Sequence, residues 1–149
     1  MGNTLKGRFK PQHPEKYKGD PSNIIYRSSW EKDVMGWCDK SDNIVSWSSE
    51  EKCFWYYDKV TKKNRRYFPD FIIDIKRDYG IETMVIEVKP QSQINGPNPQ
   101  PKRRTKSWMY QVQTYLTNQC KWESMKSVCE DRGWSFKLLS EQDVRRWKK

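Results

Sequence analysis

Asp70, Glu87 and Lys89 are of the right types, and at the right separation, to hydrolyse a phosphodiester. Asp70 follows Pro69 inside the aromatic-aliphatic run "YFPDFII", and Glu87 and Lys89 lie in "MVIEVKP". Burying a lone carboxylate costs several kcal/mol unless it is paired or bound to a metal. Two carboxylates on neighbouring strands repel, and a divalent cation turns that repulsion into a site. Mg²⁺ takes oxygen ligands and is usually held by one or two carboxylates plus waters and substrate phosphate. It polarises a phosphoryl oxygen and lowers the pKa of a water. A neighbouring lysine orients or deprotonates the attacking water and balances charge on the phosphate. Glu31, at the edge of an apolar helical stripe, is a third carboxylate that stands out by its context. Each residue also has a plainer reading. Glu31 completes an S-x-x-E capping box with Ser28, Glu87 and Lys89 fit the solvated face of a strand, and Pro69-Asp70 fits an edge strand with a bulge.

These side chains need elements to hold them. Trp30, Val34, Trp37 and Cys38 recur at helical spacing and predict a first helix over 26–40. Short runs rich in β-branched and aromatic residues predict strands at 43–48, 53–58, 65–75 and 81–90, arranged as an antiparallel meander with the second and third strands as a hairpin. Alternation puts Met84, Ile86 and Val88 on one face of the fourth strand, and Val85, Glu87 and Lys89 on the other. The segment 91–101, with three prolines and a glycine, is expected to be irregular. A helix over 107–133 is expected in two pieces, broken near Thr117–Asn118 and ended by Gly133. A strand at 134–139 follows a helix and so joins parallel to a neighbour. Ser140 caps a C-terminal helix. Residues 1–24, rich in proline, glycine and lysine, are expected to form an extended basic arm without a core of its own, leaving 25–149 as a single domain.

The net charge of +10 favours a polyanionic partner, with nucleic acid the commonest. Basic clusters occur at "KKNRR" (62–66), "KRRTK" (102–106) and "RRWKK" (145–149). Of these, Arg65, Arg66, Lys102, Arg103, Arg104 and Lys106 border the acidic positions in sequence and are the candidate DNA contacts. Trp55, Tyr56 and Tyr57 are consecutive, so one face of their strand must show aromatic surface to solvent or a partner. Four cysteines without a CxxC pair, and a single histidine, argue against structural zinc. No apolar run has the length of a membrane span, and the N-terminus lacks an apolar signal region, so no membrane association and a reducing cytoplasm are expected.

"PDF" (69–71) followed by "EVK" (87–89) resembles the motif of the PD-(D/E)XK, or restriction-endonuclease-like, nucleases. "YRSSWE" ahead of "YFPDF" and "IEVKP" is similar to the catalytic domain of TnsA-type transposon-end nucleases. The whole chain resembles the small head-completion nucleases of T-even-type tailed bacteriophages. This resemblance implies an α/β fold with an α-β-β-β-α-β core, a central mixed four- to five-stranded sheet flanked by helices. It implies that Asp70, Glu87 and the Val88 carbonyl hold Mg²⁺, with Mn²⁺ able to substitute. Lys89 would position the nucleophilic water, and Glu31 would hold a metal-bound water or a second metal. A Gln or Lys on the helix after the motif strand is common in the family, and Gln111 and Gln113 both qualify. The implied activity is a DNA endonuclease acting on double-stranded or branched DNA in phage head completion after packaging. Its implied partners are head and neck proteins of the portal vertex, and its implied place is the host cytoplasm or the head–neck vertex of the virion. The same residues would serve a structure-specific nuclease of recombination or transposition. A non-catalytic DNA-binding assembly factor is a further alternative.

Overall fold

A computed structural model of the chain describes residues 6–147. Met1–Leu5 of the N-terminal arm, and Lys148 and Lys149 of the C-terminal basic cluster, lie outside the described residues. The elements run β1 (Gly7–Phe9), β2 (Ile24–Tyr26), α1 (Ser29–Lys40), β3 (Ile44–Ser49), β4 (Phe54–Asp58), β5 (Lys63–Tyr67), β6 (Phe71–Arg77), β7 (Gly80–Val88), α2 (Gln91–Asn95), α3 (Lys106–Arg132), β8 (Ser135–Leu139) and α4 (Glu141–Trp147). The class is α/β, with a four-stranded mixed sheet ordered β3-β6-β7-β8 and helices on both faces. β8 enters parallel to β7, as expected for a strand that follows a helix. Among the described residues no helix is long and apolar enough to cross a membrane.

The expected meander is corrected in one place. The run 65–75 forms two strands, β5 and β6, separated at Phe68-Pro69-Asp70. Pro69 has no N–H to give to a ladder, so pairing stops there. β5 pairs back on β4 as a separate two-stranded hairpin, while β6 crosses into the central sheet between β3 and β7. β3 therefore neighbours β6, with β4 and β5 set aside.

Two further expectations are corrected. α3 is one continuous helix of 27 residues, with no break at Thr117–Asn118. Asn118 is buried there, and Thr117 donates its hydroxyl to Asp58 Oδ1 at 3.2 Å, so tertiary partners outweigh weak helix propensity. Thr105 caps its start by accepting from Trp108 N, and Gly133, at φ +70°, ends it in the left-handed conformation that glycine adopts without strain. The segment after β7 contains a short helix, α2, within its proline-rich sequence. At the C-terminus Ser140 Oγ accepts from Asp143 N while Asp143 Oδ2 accepts from Ser140 N, a reciprocal cap that starts α4.

Two apolar clusters cover the two faces of the sheet. Phe71, Ile73 and Ile75 of β6 and Ile86 and Val88 of β7 pack against Val34, Met35 and Cys38 of α1 and Val144 of α4. On the other face, Ile72 and Val85 pack against Met125 and Cys129 of α3 and Tyr56 and Tyr67 of the hairpin. The apolar face anticipated for Met84, Ile86 and Val88 is the one against α1. The N-terminal segment lends Tyr17 and Ile24 to that same core. Lys18 N donates to Trp47 O at 2.8 Å, so this segment covers part of edge strand β3. Trp47 is enclosed by the rings of Phe9, Tyr17 and Phe71.

Candidate active site

The site lies at the end of the sheet where β6 begins and β7 finishes. The antiparallel register pairs Phe71 with Ile86, which puts Asp70 directly opposite Glu87. Side chains take over from the ladder at this point. Asp70 N donates to Glu87 Oε1 at 2.9 Å, and Val88 N donates to Asp70 Oδ2 at 2.8 Å. Each carboxylate is thus fixed by the other's strand. On the far side, Lys89 N donates to Leu139 O at 3.0 Å, so β8 pins the last residue of the motif.

Glu87 is only 3% exposed, which rules out the solvated-face reading for it. Burial raises the pKa of Asp70 well above the usual carboxylate range, and the Glu87 charge adds to the rise. Burial also raises Glu87, and contacts with Tyr67, Lys89 and Lys121 oppose that rise. The Tyr67 hydroxyl, buried and without a full-geometry hydrogen bond, faces Glu87 closely enough to be raised itself by burial and by that charge. Glu31 is pushed up to about 7 by burial and then by Asp70. Its location in the first turn of α1 therefore brings it into the field of the sheet carboxylates. The capping reading holds for Ser28, which accepts from Glu31 N at 3.1 Å. The Glu31 carboxylate reaches one residue further back, to Arg27 N at 3.3 Å.

Two members of the constellation escaped the sequence reading. Glu50 follows β3 at the register position beside Asp70, since Ser49 pairs with Phe71. Its charge raises both Glu31 and Asp70, and its carboxylate lies 3.4 Å from Arg27 Nε. The one signal for it was an acidic pair, Glu50-Glu51, directly after a strand. The second is Lys121 of α3. Burial lowers its pKa, and Lys89 lowers it further, against the pull of Glu87, Asp70 and Asp58. Its ammonium lies 5.9 Å from the Tyr56 ring centre and 5.8 Å from that of Tyr67. Lys121 thus stands where the helix residue was sought. Gln111 lines a cleft beside Gly96 and Tyr110, and Gln113 lines another beside Lys59 and Leu116, both apart from Asp70 and Glu87.

The basic clusters divide in space. Arg65 is tied inward, with Nε 3.0 Å from Thr61 Oγ1 and 3.3 Å from Asp58 Oδ2. Arg66 is exposed on the hairpin's outer face. Lys102, Arg103 and Arg104 are exposed just ahead of α3 and Lys106 at its first residue, about 22 Å along that helix from Lys121.

The donor set fits a hard cation. Among the described residues no group of three or more His, Cys, Asp or Glu side chains is gathered to hold a metal. What the site offers is two carboxylates and adjoining backbone, the sparse all-oxygen ligation with which Mg²⁺ retains most of its water. Asp70 Oδ1 makes no hydrogen bond to a described residue. Asp70, raised by burial and by the Glu87 charge, and Glu87, raised by burial, carry an electrostatic cost that a divalent cation would relieve.

Comparison with known proteins gives the family. Residues 41–141 match the family described as TnsA-like endonuclease N terminal, a span that includes Asp70, Glu87, Lys89 and Lys121 and leaves out α1 with Glu31. The chain is 34% identical over 145 residues to the head completion nuclease of Enterobacteria phage T4, covering 95% of each protein. With a strand-end Asp–Glu–Lys motif inside a four-stranded mixed sheet and a family match over most of its length, the chain belongs to the TnsA-like family of restriction-endonuclease-like nucleases.

Proposed function

We propose that this chain is a divalent-metal-dependent DNA endonuclease that acts in phage head completion, on double-stranded or branched DNA after packaging. The observation that carries the chemistry is the register pair Asp70–Glu87, a half-buried and a buried carboxylate that face each other near Lys89 and Lys121. Asp70, Glu87 and the Val88 carbonyl would hold Mg²⁺, with Mn²⁺ able to replace it. When bound, the ion supplies a Lewis acid for a phosphoryl oxygen. The chain's own groups do the rest. Lys89 orients the attacking water and offsets charge on the phosphate, and Lys121 adds a second positive group behind the carboxylates. Glu31, which feels the charge of Asp70 across the site, accepts a hydrogen bond from that water. The setting comes from the relative's name. That name supports a setting in phage head completion; to it we add the infected host cell, head and neck proteins as partners and a place at the head–neck vertex.

Incubation of supercoiled and branched DNA with Mg²⁺, Mn²⁺ or EDTA tests the reading. Nicking is expected with either metal and not with EDTA. Asp70→Ala and Glu87→Ala should each lower the rate by at least about 10³-fold. Nicking that survives either substitution removes the assigned site. An unmutated protein that cuts no DNA favours an assembly factor without catalysis.

A further inference from the structure

The outer face of the β4–β5 hairpin has no role in the chemistry described above. Its inner face is committed: Tyr56, Tyr67 and the partly buried Phe54 pack towards α3, and Asp58 is buried. The register places Trp55 opposite Arg66 and Tyr57 opposite Asn64, so these four share the outward face. Trp55 is 63% exposed and Tyr57 52%. Phe68, next in line towards the site, is 41% exposed.

Aromatic area of this kind exposed beside an arginine calls for an occupant, and charge selects one. The stretch 54–68 carries one carboxylate, Asp58, against five lysines and arginines. Asp58 is buried and bonded to Val60 N, Thr61 and Thr117, so the outward face shows positive charge without a compensating acid. Arg66 makes no ion pair with a described residue, whereas Arg65 is engaged by Asp58. A surface of flat rings with free cations fits nucleic acid whose bases are available for stacking. Paired bases within a duplex present only their edges and phosphates, leaving such rings without a partner.

The hairpin is also in the right place. Tyr67, on its inner face, faces Glu87, and Asp70 follows Arg66 by four residues, at most about 14 Å of extended chain. That is about four base steps of a stacked strand.

We infer that the outward face of the hairpin, Trp55, Tyr57 and Arg66, is a stacking platform for unpaired bases next to the cut, so that the preferred substrate is DNA with a single-stranded end or branch. This rests on the nuclease reading given above and narrows its substrate.

Fluorescence anisotropy in EDTA separates binding from cleavage. The probes are a blunt 20-base-pair duplex and the same duplex carrying a ten-nucleotide overhang. The wild-type protein should bind the overhang duplex about tenfold or more tightly. Trp55→Ala should lose about 5- to 100-fold on the overhang probe and change blunt-duplex binding by less than about twofold. Tyr57→Ala should repeat the pattern more weakly, and Trp55→Phe should restore most of it. Arg66→Ala should lower the salt slope of binding by about one. Equal affinity of the wild type for both probes overturns the inference and leaves this face to a protein partner. So does a Trp55→Ala protein that loses both probes alike. Cleavage with Mg²⁺ in either case would show that the nuclease reading stands while the substrate assignment fails.

Discussion

Asp74 lies in β6 and Asp70 immediately before it, four residues apart, and the fold treats them in opposite ways. Asp74 accepts from Lys18 Nζ at 2.7 Å, Ser46 Oγ at 2.9 Å and Thr83 Oγ1 at 2.6 Å. Burial works against its charge, but hydrogen bonds from Lys18, Thr83 and Ser46 outweigh it and hold the carboxyl below its usual range. Asp70 accepts from one backbone amide, faces another buried carboxylate and sits high. A satisfied acid of the first kind stabilises a fold. An unsatisfied one of the second kind is a cost that only a ligand removes, and such sites concentrate where function is performed.

That contrast can be broken most sharply by paired substitutions. Asp70→Asn should abolish nicking, by at least about 10³-fold, while raising metal-free stability at pH 8, because it removes one of two facing charges. Asp74→Asn should do the reverse. It keeps the rate within about threefold and costs about 1–3 kcal/mol through its orphaned donors. Urea midpoints and nicking rates on the same four proteins, both variants, the wild type and the double variant, decide it.

Metal titration comes next in size. At a hundred times its dissociation constant Mg²⁺ should stabilise the wild type by about 2.7 kcal/mol, a rise in Tm of roughly 5–10 °C for a chain of this length. Asp74→Asn should keep that rise and Asp70→Asn should lose it. A rise retained in Asp70→Asn would place the ion elsewhere.

Acidity separates the two regions with opposite signs. Glu31 has a folded pKa of about 7 against an ordinary 4.5. The folded chain holds this proton more tightly than the unfolded one, so in EDTA stability falls as pH rises from about 4.5 to about 7. Glu31→Gln should make that limb shallower, leaving the part that the raised Asp70 and Glu87 contribute. Asp74 has the depressed pKa, so its contribution is complete above its ordinary 3.8 and is lost as pH falls towards the folded value. Asp74→Asn should flatten the acid limb instead. Denaturation midpoints between pH 3 and 9 read both limbs.

The smallest effect is expected at Lys18. Its side chain is 61% exposed, so Lys18→Ala should cost no more than about 1 kcal/mol despite the 2.7 Å contact with Asp74. A larger loss would mean that the satisfied region depends on its surface ion pair.

Much of this organisation was legible from residue types. The helical stripe of Val34 and Cys38, the cap at Ser28, the parallel entry of the last strand and the candidate residues Asp70, Glu87 and Lys89 all follow local periodicity or a motif. What stayed hidden depends on contacts between distant segments. Pro69 was visible as a strand irregularity, but its effect is to send β6 into a different sheet from β5, a choice made by packing against α1 and α3. Glu50 enters the site only because β3 pairs with β6, a pairing that no local pattern encodes. Lys121 was passed over in favour of Gln111 and Gln113 because distance along a helix does not reveal which turn meets the sheet. The continuity of α3 through Thr117–Asn118 depended on a partner, Asp58, far away in sequence.

The interruption at Pro69 has an evolutionary side. No ladder joins the hairpin to the strands that carry the carboxylates; its inner side chains pack on α3 and on Ile72 and Val85, and the chain enters it from β3 and leaves it into β6. Residues on its outward face can therefore be exchanged, or the turn lengthened, without moving the register of Asp70 against Glu87. The hydrolytic end and the surface beside it can therefore be altered separately, one hairpin at a time.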